Sequence, residues 1–174
     1  MEEFITIIDA HSHLWLKQDT SVNGRRILSL TNGRSIFMDE EVQMLPPFMT
    51  DGKNTAEVFL SNMDYARVGG AVVVQEFIDG IQNDYLKEVA VKYPERFKVC
   101  AMLDWEKSGF IQDATQLMED GTFSGIAIPG HRLHKALDSD EMLQMFSLME
   151  QRGMFLSLCL HEDNHQLSEV EEIV

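Results

Sequence analysis

Apolar residues along the chain fall into compact runs, and amphipathic stretches separate them in regular alternation. Ile5 to Ala10, Gly70 to Glu76, Phe97 to Asp104, Gly125 to Pro129 and Met154 to His161 are short, nearly continuous apolar runs. A strand takes that form in a parallel sheet covered on both faces. Between them, Thr55 to Val68 spaces Val58, Met63 and Ala66 at roughly helical intervals, Asp84 to Tyr93 is closed by Pro94, and Phe110 to Glu119 runs up to Gly121. A further amphipathic segment carries Met142, Leu143, Met145, Phe146, Leu148 and Met149, is opened by Asp138 and Glu141 as a capping pair, and stops at Gly153. Its Met-rich face reads as core filling rather than a cofactor site. The alternation predicts an α/β fold, either a (β/α) TIM-type barrel or an open doubly wound sheet. Gly69-Gly70 precedes the second strand instead of following it, and no phosphate-cradling glycine loop follows any other strand, which counts against a Rossmann nucleotide site.

One stretch breaks the rhythm. The strand-like runs Arg26 to Leu30 and Arg34 to Met38 flank Thr31-Asn32-Gly33, and Asn-Gly is a strong hairpin signal because both residues tolerate positive φ. Residues 16–53 therefore read as a hairpin insertion after the first strand, inside one domain spanning 1–174. In a barrel such a loop lies on the catalytic face, where Leu45-Pro46-Pro47-Phe48-Met49 would wall a pocket or act as a lid. A surface hairpin that only shields the barrel mouth fits the pattern equally well. Internal repeats and low-complexity tracts are absent from the sequence.

Composition narrows the partners. A chain of 174 residues, 44% hydrophobic, is long enough for one well-buried domain. Its formal net charge of -15 would repel nucleic-acid phosphates and anionic membranes unless a basic patch intervened. Arg25-Arg26 and Lys92 to Lys98 are short and interleaved with apolar or acidic residues, so neither makes such a patch. The expected partner is a small molecule. Cys100 and Cys159 both sit in apolar runs and read as small core residues in a reducing compartment. Met1-Glu2-Glu3 leads straight into a short strand, so neither a signal peptide nor a membrane span is expected, and the expected location is cytoplasmic.

The chemistry concentrates in Ile5-Thr6-Ile7-Ile8-Asp9-Ala10-His11-Ser12-His13. Side chains alternate along a strand, so His11 and His13 share a face while Ser12 points away. Two imidazoles at that spacing can converge on one divalent cation. The same spacing suits two surface histidines, or two core polar groups with satisfied hydrogen bonds, and the residues alone leave these readings open. Asp9 has the same parity and either orients one of the histidines or binds backbone amides.

The runs Ile8-Asp9-Ala10-His11-Ser12-His13-Leu14-Trp15, Met63-Asp64-Tyr65-Ala66-Arg67-Val68-Gly69-Gly70-Ala71-Val72-Val73-Val74-Gln75 and Lys92-Tyr93-Pro94-Glu95-Arg96-Phe97 together resemble the amidohydrolase-related branch of the amidohydrolase superfamily. Its members include sugar-lactone and dicarboxylate lactonases together with aromatic-acid decarboxylases. The likeness runs through essentially the whole chain. It implies a distorted (β/α) barrel in which His11 and His13 bind a divalent metal, zinc ahead of manganese. His161, directly after Leu156-Ser157-Leu158-Cys159-Leu160, matches a further ligand at the end of the fifth strand, whereas His165 is expected to be exposed. Lactonases that work without metal also belong to the family.

Such barrels need about 250 residues and eight βα units; this sequence supplies about five and stops at Val174 in a helix-like run. The family's sixth-strand histidine and eighth-strand aspartate have no counterparts, so the catalytic proton carrier is left unassigned. A fragment of a longer protein is the expectation; the other reading is a shortened homologue that pairs with another chain, a homo-oligomer included, to cover its sheet edge. The resemblance implies hydrolysis of a lactone or related carbonyl compound by activated water. Decarboxylation on the same scaffold and a noncatalytic half-barrel are the alternatives. At the strand ends, Trp15, Gln75, Asp104, His131 and Arg132 are the candidates for holding substrate, Arg132 by pairing with a carboxylate.

Overall fold

The computed structural model describes residues 6–49, 51–105, 107–130, 133–160 and 165–173. Strand β1 (Ile7–Ser12) is followed by four short strands, β2 (Asp19–Val22), β3 (Arg25–Ser29), β4 (Arg34–Phe37) and β5 (Glu40–Gln43). Helix α1 (Ala56–Ala66) leads into β6 (Val68–Val73), α2 (Asn83–Lys92) into β7 (Phe97–Met102), α3 (Phe110–Asp120) into β8 (Gly125–Pro129), and α4 (Asp140–Gln151) into β9 (Phe155–Cys159), with α5 (His165–Ile173) last. The parallel sheet has the order β1-β6-β7-β8-β9. Each strand lies beside the one before it in the main sheet, with no reversal of direction across the sheet. That is the winding of a (β/α) barrel; a doubly wound sheet reverses at a switch point. Five βα units thus form a half-barrel of TIM type.

Alternation along each strand assigns the two faces. Val73, Val99, Ala101, Ile126 and Ile128 turn toward the helices, packing with Leu86 and Val89 of α2, Phe110 and Ala114 of α3, and Met142 and Met145 of α4. Val74, Cys100 and Ala127 form a small cluster on the opposite, inner face. Leu86 is fully buried, and removing such a side chain costs about 2–5 kcal/mol. Helix boundaries follow local chemistry. Thr55 caps α1, its Oγ1 accepting from the Val58 amide, and Arg67 ends that helix at φ 58; α3 runs between Gly109 and Gly121, both at positive φ.

The stretch after β1 is a four-stranded antiparallel meander rather than a lone hairpin. Asn32 and Gly33, at φ 58 and 70, turn the chain between β3 and β4. Strands β2 and β5 are too polar to stand out in the sequence; they exist by lateral pairing with β3 and β4. The sheet is tied off at its base, where Trp15 and Asn54 exchange backbone hydrogen bonds of 3.0 and 3.1 Å. Residues 45–49 fold back against the β3–β4 turn. The amide of Leu45 donates to the Gly33 carbonyl, the Gly33 amide donates to the Met49 carbonyl, and Phe48 is 70% exposed. Helix α4 opens at Asp140 behind Ser139, whose hydroxyl makes no capping bond, so Asp138 and Glu141 are not its cap. No helix among the described residues is long and apolar enough to cross a membrane.

Candidate metal centre at the mouth of the half-barrel

Strand β1 delivers its histidines where barrel chemistry is placed, at the C-terminal end. His11 is exposed and His13 half-buried. Their Nε2 atoms face each other at 3.1 Å, and the rings meet edge to face at a centroid distance of 4.9 Å. Two ring nitrogens at that distance cannot both carry a proton toward each other, so at least one lone pair is directed into the gap. A tetrahedral cation with Zn–N bonds of 2.0–2.1 Å would hold two such nitrogens about 3.3 Å apart. The donor set and its spacing therefore fit a divalent ion. Among the described residues, no group of three or more His, Cys, Asp or Glu is clustered to hold one.

The far nitrogen of His13 is also committed. Nδ1 lies 3.1 Å from Oδ2 of Asp79 and is closed off from solvent; the contact is an ion-pair distance rather than a well-aligned hydrogen bond. Asp79, 3% exposed, sits in the short 3-10 turn Phe77–Asp79 after β6. Its other oxygen, Oδ1, accepts from Gln18 Nε2 at 2.7 Å, and Gln18 Oε1 accepts from Ser29 Oγ at 2.6 Å. Asn54 Nδ2 donates to the His13 carbonyl at 2.6 Å, fixing the backbone beneath the ring. Asp9 takes the backbone option: its Oδ1 accepts from the His11 amide at 3.1 Å.

Of the other site candidates, Trp15, Gln75 and Asp104 lie among the described residues. Trp15 is buried, and its indole N–H donates to the Gly52 carbonyl at 2.9 Å, so it anchors the meander instead of facing open space. Gln75 is buried, with Nε2 donating to Asn83 Oδ1 and the Cys100 carbonyl and Oε1 accepting from the Gln82 amide. It lines a cavity of about 70 Å³ together with His11, Glu76, Ser157 and Cys159; both of its N–H donors and one Oε1 lone pair are taken within the protein. Asp104 is exposed at the end of β7, in a cleft of about 450 Å³ bounded by Ser21 to Asn23, Phe77, Gly80 and Trp105. His131, Arg132 and His161 lie outside the described residues. His165 opens α5 and is exposed. Asp79 and Gln18 are the residues that sequence reasoning missed; Asp79 sits in Phe77-Ile78-Asp79-Gly80, which reads locally as an ordinary turn.

Two thiols flank the inner face. Burial pushes the Cys100 thiol up to about 12. Cys159, at the exposed end of β9, is also raised, by partial burial first and by the Glu76 carboxylate second.

The profile of the amidohydrolase family matches residues 8–173. No curated protein matches the sequence. Among solved structures, the chain is similar to a probable 2-pyrone-4,6-dicarboxylic acid hydrolase from Acinetobacter baumannii with citric acid bound, at TM-score 0.59 and 19% identity over 88% of this chain and 49% of that one. It is also similar to Metarhizium anisopliae IDCase, at TM-score 0.60 and 14% identity over 90% of this chain and 50% of that one. A 2,6-dihydroxybenzoate decarboxylase from Rhizobium matches at TM-score 0.52 and 15% identity, over 68% of this chain and 44% of that one. The chain thus spans about half the length of these proteins.

Proposed function

The chain belongs to the amidohydrolase family, and from that premise we propose that it carries the metal-binding half of a hydrolase acting on a lactone or a related carbonyl compound. The observation that carries the reading is the His11–His13 pair, Nε2 to Nε2 at 3.1 Å, at the C-terminal end of the first barrel strand. These two imidazoles hold a divalent cation, zinc first and manganese second, and His161, two residues beyond β9 in sequence, is the third ligand in this reading. When bound, the cation supplies Lewis acidity, polarising a carbonyl and making water acidic enough to attack near neutral pH. The chain's own residues orient the ligands: Asp79 backs His13, and Asn54 holds its carbonyl. Substrate enters from the mouth, where Asp104 borders the cleft of about 450 Å³; Gln75, His131 and Arg132 complete the contacts, with Arg132 taking a carboxylate. Trp15 acts from behind, by fixing the meander over the mouth.

A second reading is decarboxylation, supported by the shared fold of the 2,6-dihydroxybenzoate decarboxylase. A cytoplasmic setting belongs to the proposal and accords with two free cysteines.

The test is metal content per chain in protein purified without chelator or nickel resin, with His11→Ala and His13→Ala alongside. Near-stoichiometric zinc or manganese, lost in both variants, supports the site. A panel of dicarboxylate and sugar lactones against aromatic carboxylic acids then separates hydrolysis from decarboxylation. Metal retained in both variants would overturn the assignment of the histidines.

A further inference from the structure

The relay behind His13 goes deeper than ligand identity. We infer that Asp79 is a positioning residue for His13, setting both its tautomer and its ring orientation, and that the inserted meander holds Asp79 in place through Gln18 and Ser29. This rests on the reading of His11 and His13 as metal ligands.

Asp79 Oδ1 accepts a hydrogen bond from the Gln18 amide N–H, and Oδ2 faces His13 Nδ1 at an ion-pair distance of 3.1 Å. A neutral imidazole carries one proton, and an acceptor beside Nδ1 keeps that proton there. The lone pair then lies on Nε2, the nitrogen that faces His11. In the flipped ring or the other tautomer, Nε2 would present a hydrogen or exchange places with a carbon, and the pair could not converge on a cation. Asp79 is 3% exposed and Gln18 2%, so water does not replace either partner.

The support comes from the inserted sheet. Gln18 is fixed by Ser29 Oγ on its Oε1 and by the Ser29 amide on its carbonyl, and Ser29 closes strand β3. Thr20 Oγ1 donates to the Ile78 carbonyl at 3.1 Å, one residue before Asp79. Gln82 Nε2 bridges the Asp79 and Lys17 carbonyls at 2.7 and 3.2 Å. The turn that carries Asp79 is therefore clamped to the meander from three directions, and the meander has a reason to be ordered beyond covering the mouth.

The test uses the whole chain, metal-free, with ¹⁵N-labelled histidine and two-bond ¹H–¹⁵N spectra, His13 being assigned from a His13→Asn variant. His13 is expected as the Nδ1–H tautomer in the parent protein and as a majority Nε2–H tautomer in Asp79→Ala. Asp79→Asn keeps an amide oxygen for Nδ1–H once Gln18 turns over, so it is expected to restore the parental tautomer. Gln18→Ala, which leaves Asp79 in place with Oδ1 unpaired, is expected to show both forms. Calorimetric titration with Zn²⁺ alone is expected to weaken 10–100-fold in Asp79→Ala and to recover in Asp79→Asn. An Nε2–H tautomer in the parent, or spectra of Asp79→Ala and Gln18→Ala matching the parent, would overturn the inference. Parent protein that shows the Nδ1–H tautomer yet binds no Zn²⁺ would overturn the metal reading while supporting the role of Asp79.

Discussion

Cys100 and Cys159 both looked like core residues in the sequence, and the fold separates them. Cys100 is fully buried on the inner face with its thiol pushed up to about 12, whereas Cys159 is exposed at the end of β9. Thiolate fraction and access both set reactivity. Titration with a disulfide reagent at about pH 8 is therefore expected to find one accessible thiol, Cys159, reacting slowly because its own pKa is raised; Cys100 should respond only after denaturation. Equal rates for the two would contradict the placement of Cys100. Gln75 can be tested by the same logic of access. Its side chain satisfies Asn83, Gln82 and Cys100 at once, and each unmet buried partner costs about 1–3 kcal/mol. Gln75→Leu is expected to lose about 2–4 kcal/mol in urea unfolding, since Asn83 keeps its bonds to Met102. Unchanged stability with a raised KM would instead make Gln75 a substrate contact. The histidine pair was legible because two residues at strand spacing carry their relation locally. Asp79 and Gln18 were not, since 61 residues separate them and their meeting is tertiary.

Elements were legible to the extent that they bury apolar faces. The five strands of the main sheet and helices α1 to α3 lie within a few residues of where apolar spacing puts them, because packing against the sheet is what forms them. Strands β2 and β5, Asp19-Thr20-Ser21-Val22 and Glu40-Glu41-Val42-Gln43, lack that signal. The meander instead depends on its turn. At Gly33, φ is 70 and an added Cβ would land on the Leu45 and Pro46 carbonyl oxygens. Gly33→Ala is expected to cost more than about 1 kcal/mol and to strip hydrogen-exchange protection from residues 25–43 while the parallel sheet stays protected; uniform loss across both sheets would show that they unfold as one unit. Helices α1 and α2 are tied by Lys92, which donates to Glu57 at 2.8 Å and holds its carboxyl near 2, down from 4.5. A folded-state pKa below the unfolded one adds stability that is complete above about 4.5 and fades as pH falls toward 2. Unfolding midpoints of the parent and Glu57→Gln should therefore differ at neutral pH and converge across that window, with only a small difference at the start because the pair is exposed. A gap that persists at the acid end would mean the contact does not depend on charge.

At the scale of the molecule, strand order decides what alternation alone leaves open between barrel and doubly wound sheet, because order is set by which helices pack where. The same order leaves two sheet edges. Among the described residues β1 pairs only with β6 and β9 only with β8. Ile7 and Ile8 are 52% and 54% exposed on the first edge, and Phe155 and Leu156 are part-exposed on the other. Beside β9 lies an open groove of about 300 Å³ lined by Phe146, Met149, Leu158, Val170 and Ile173. Apolar edges of this kind favour association, while a formal charge of -15 opposes it between copies. Salt arbitrates between the two, because the Debye length falls from about 30 Å at 0.01 M to about 3 Å at 1 M. Sedimentation velocity is therefore expected to show a monomer at low salt and self-association at high salt, and a charged residue at Leu156 should suppress the high-salt species if β9 is the edge that pairs. A monomer at both salt concentrations would mean that the exposed edges are too short and twisted to pair, and the whole weight of solubility would then rest on edge geometry rather than on charge.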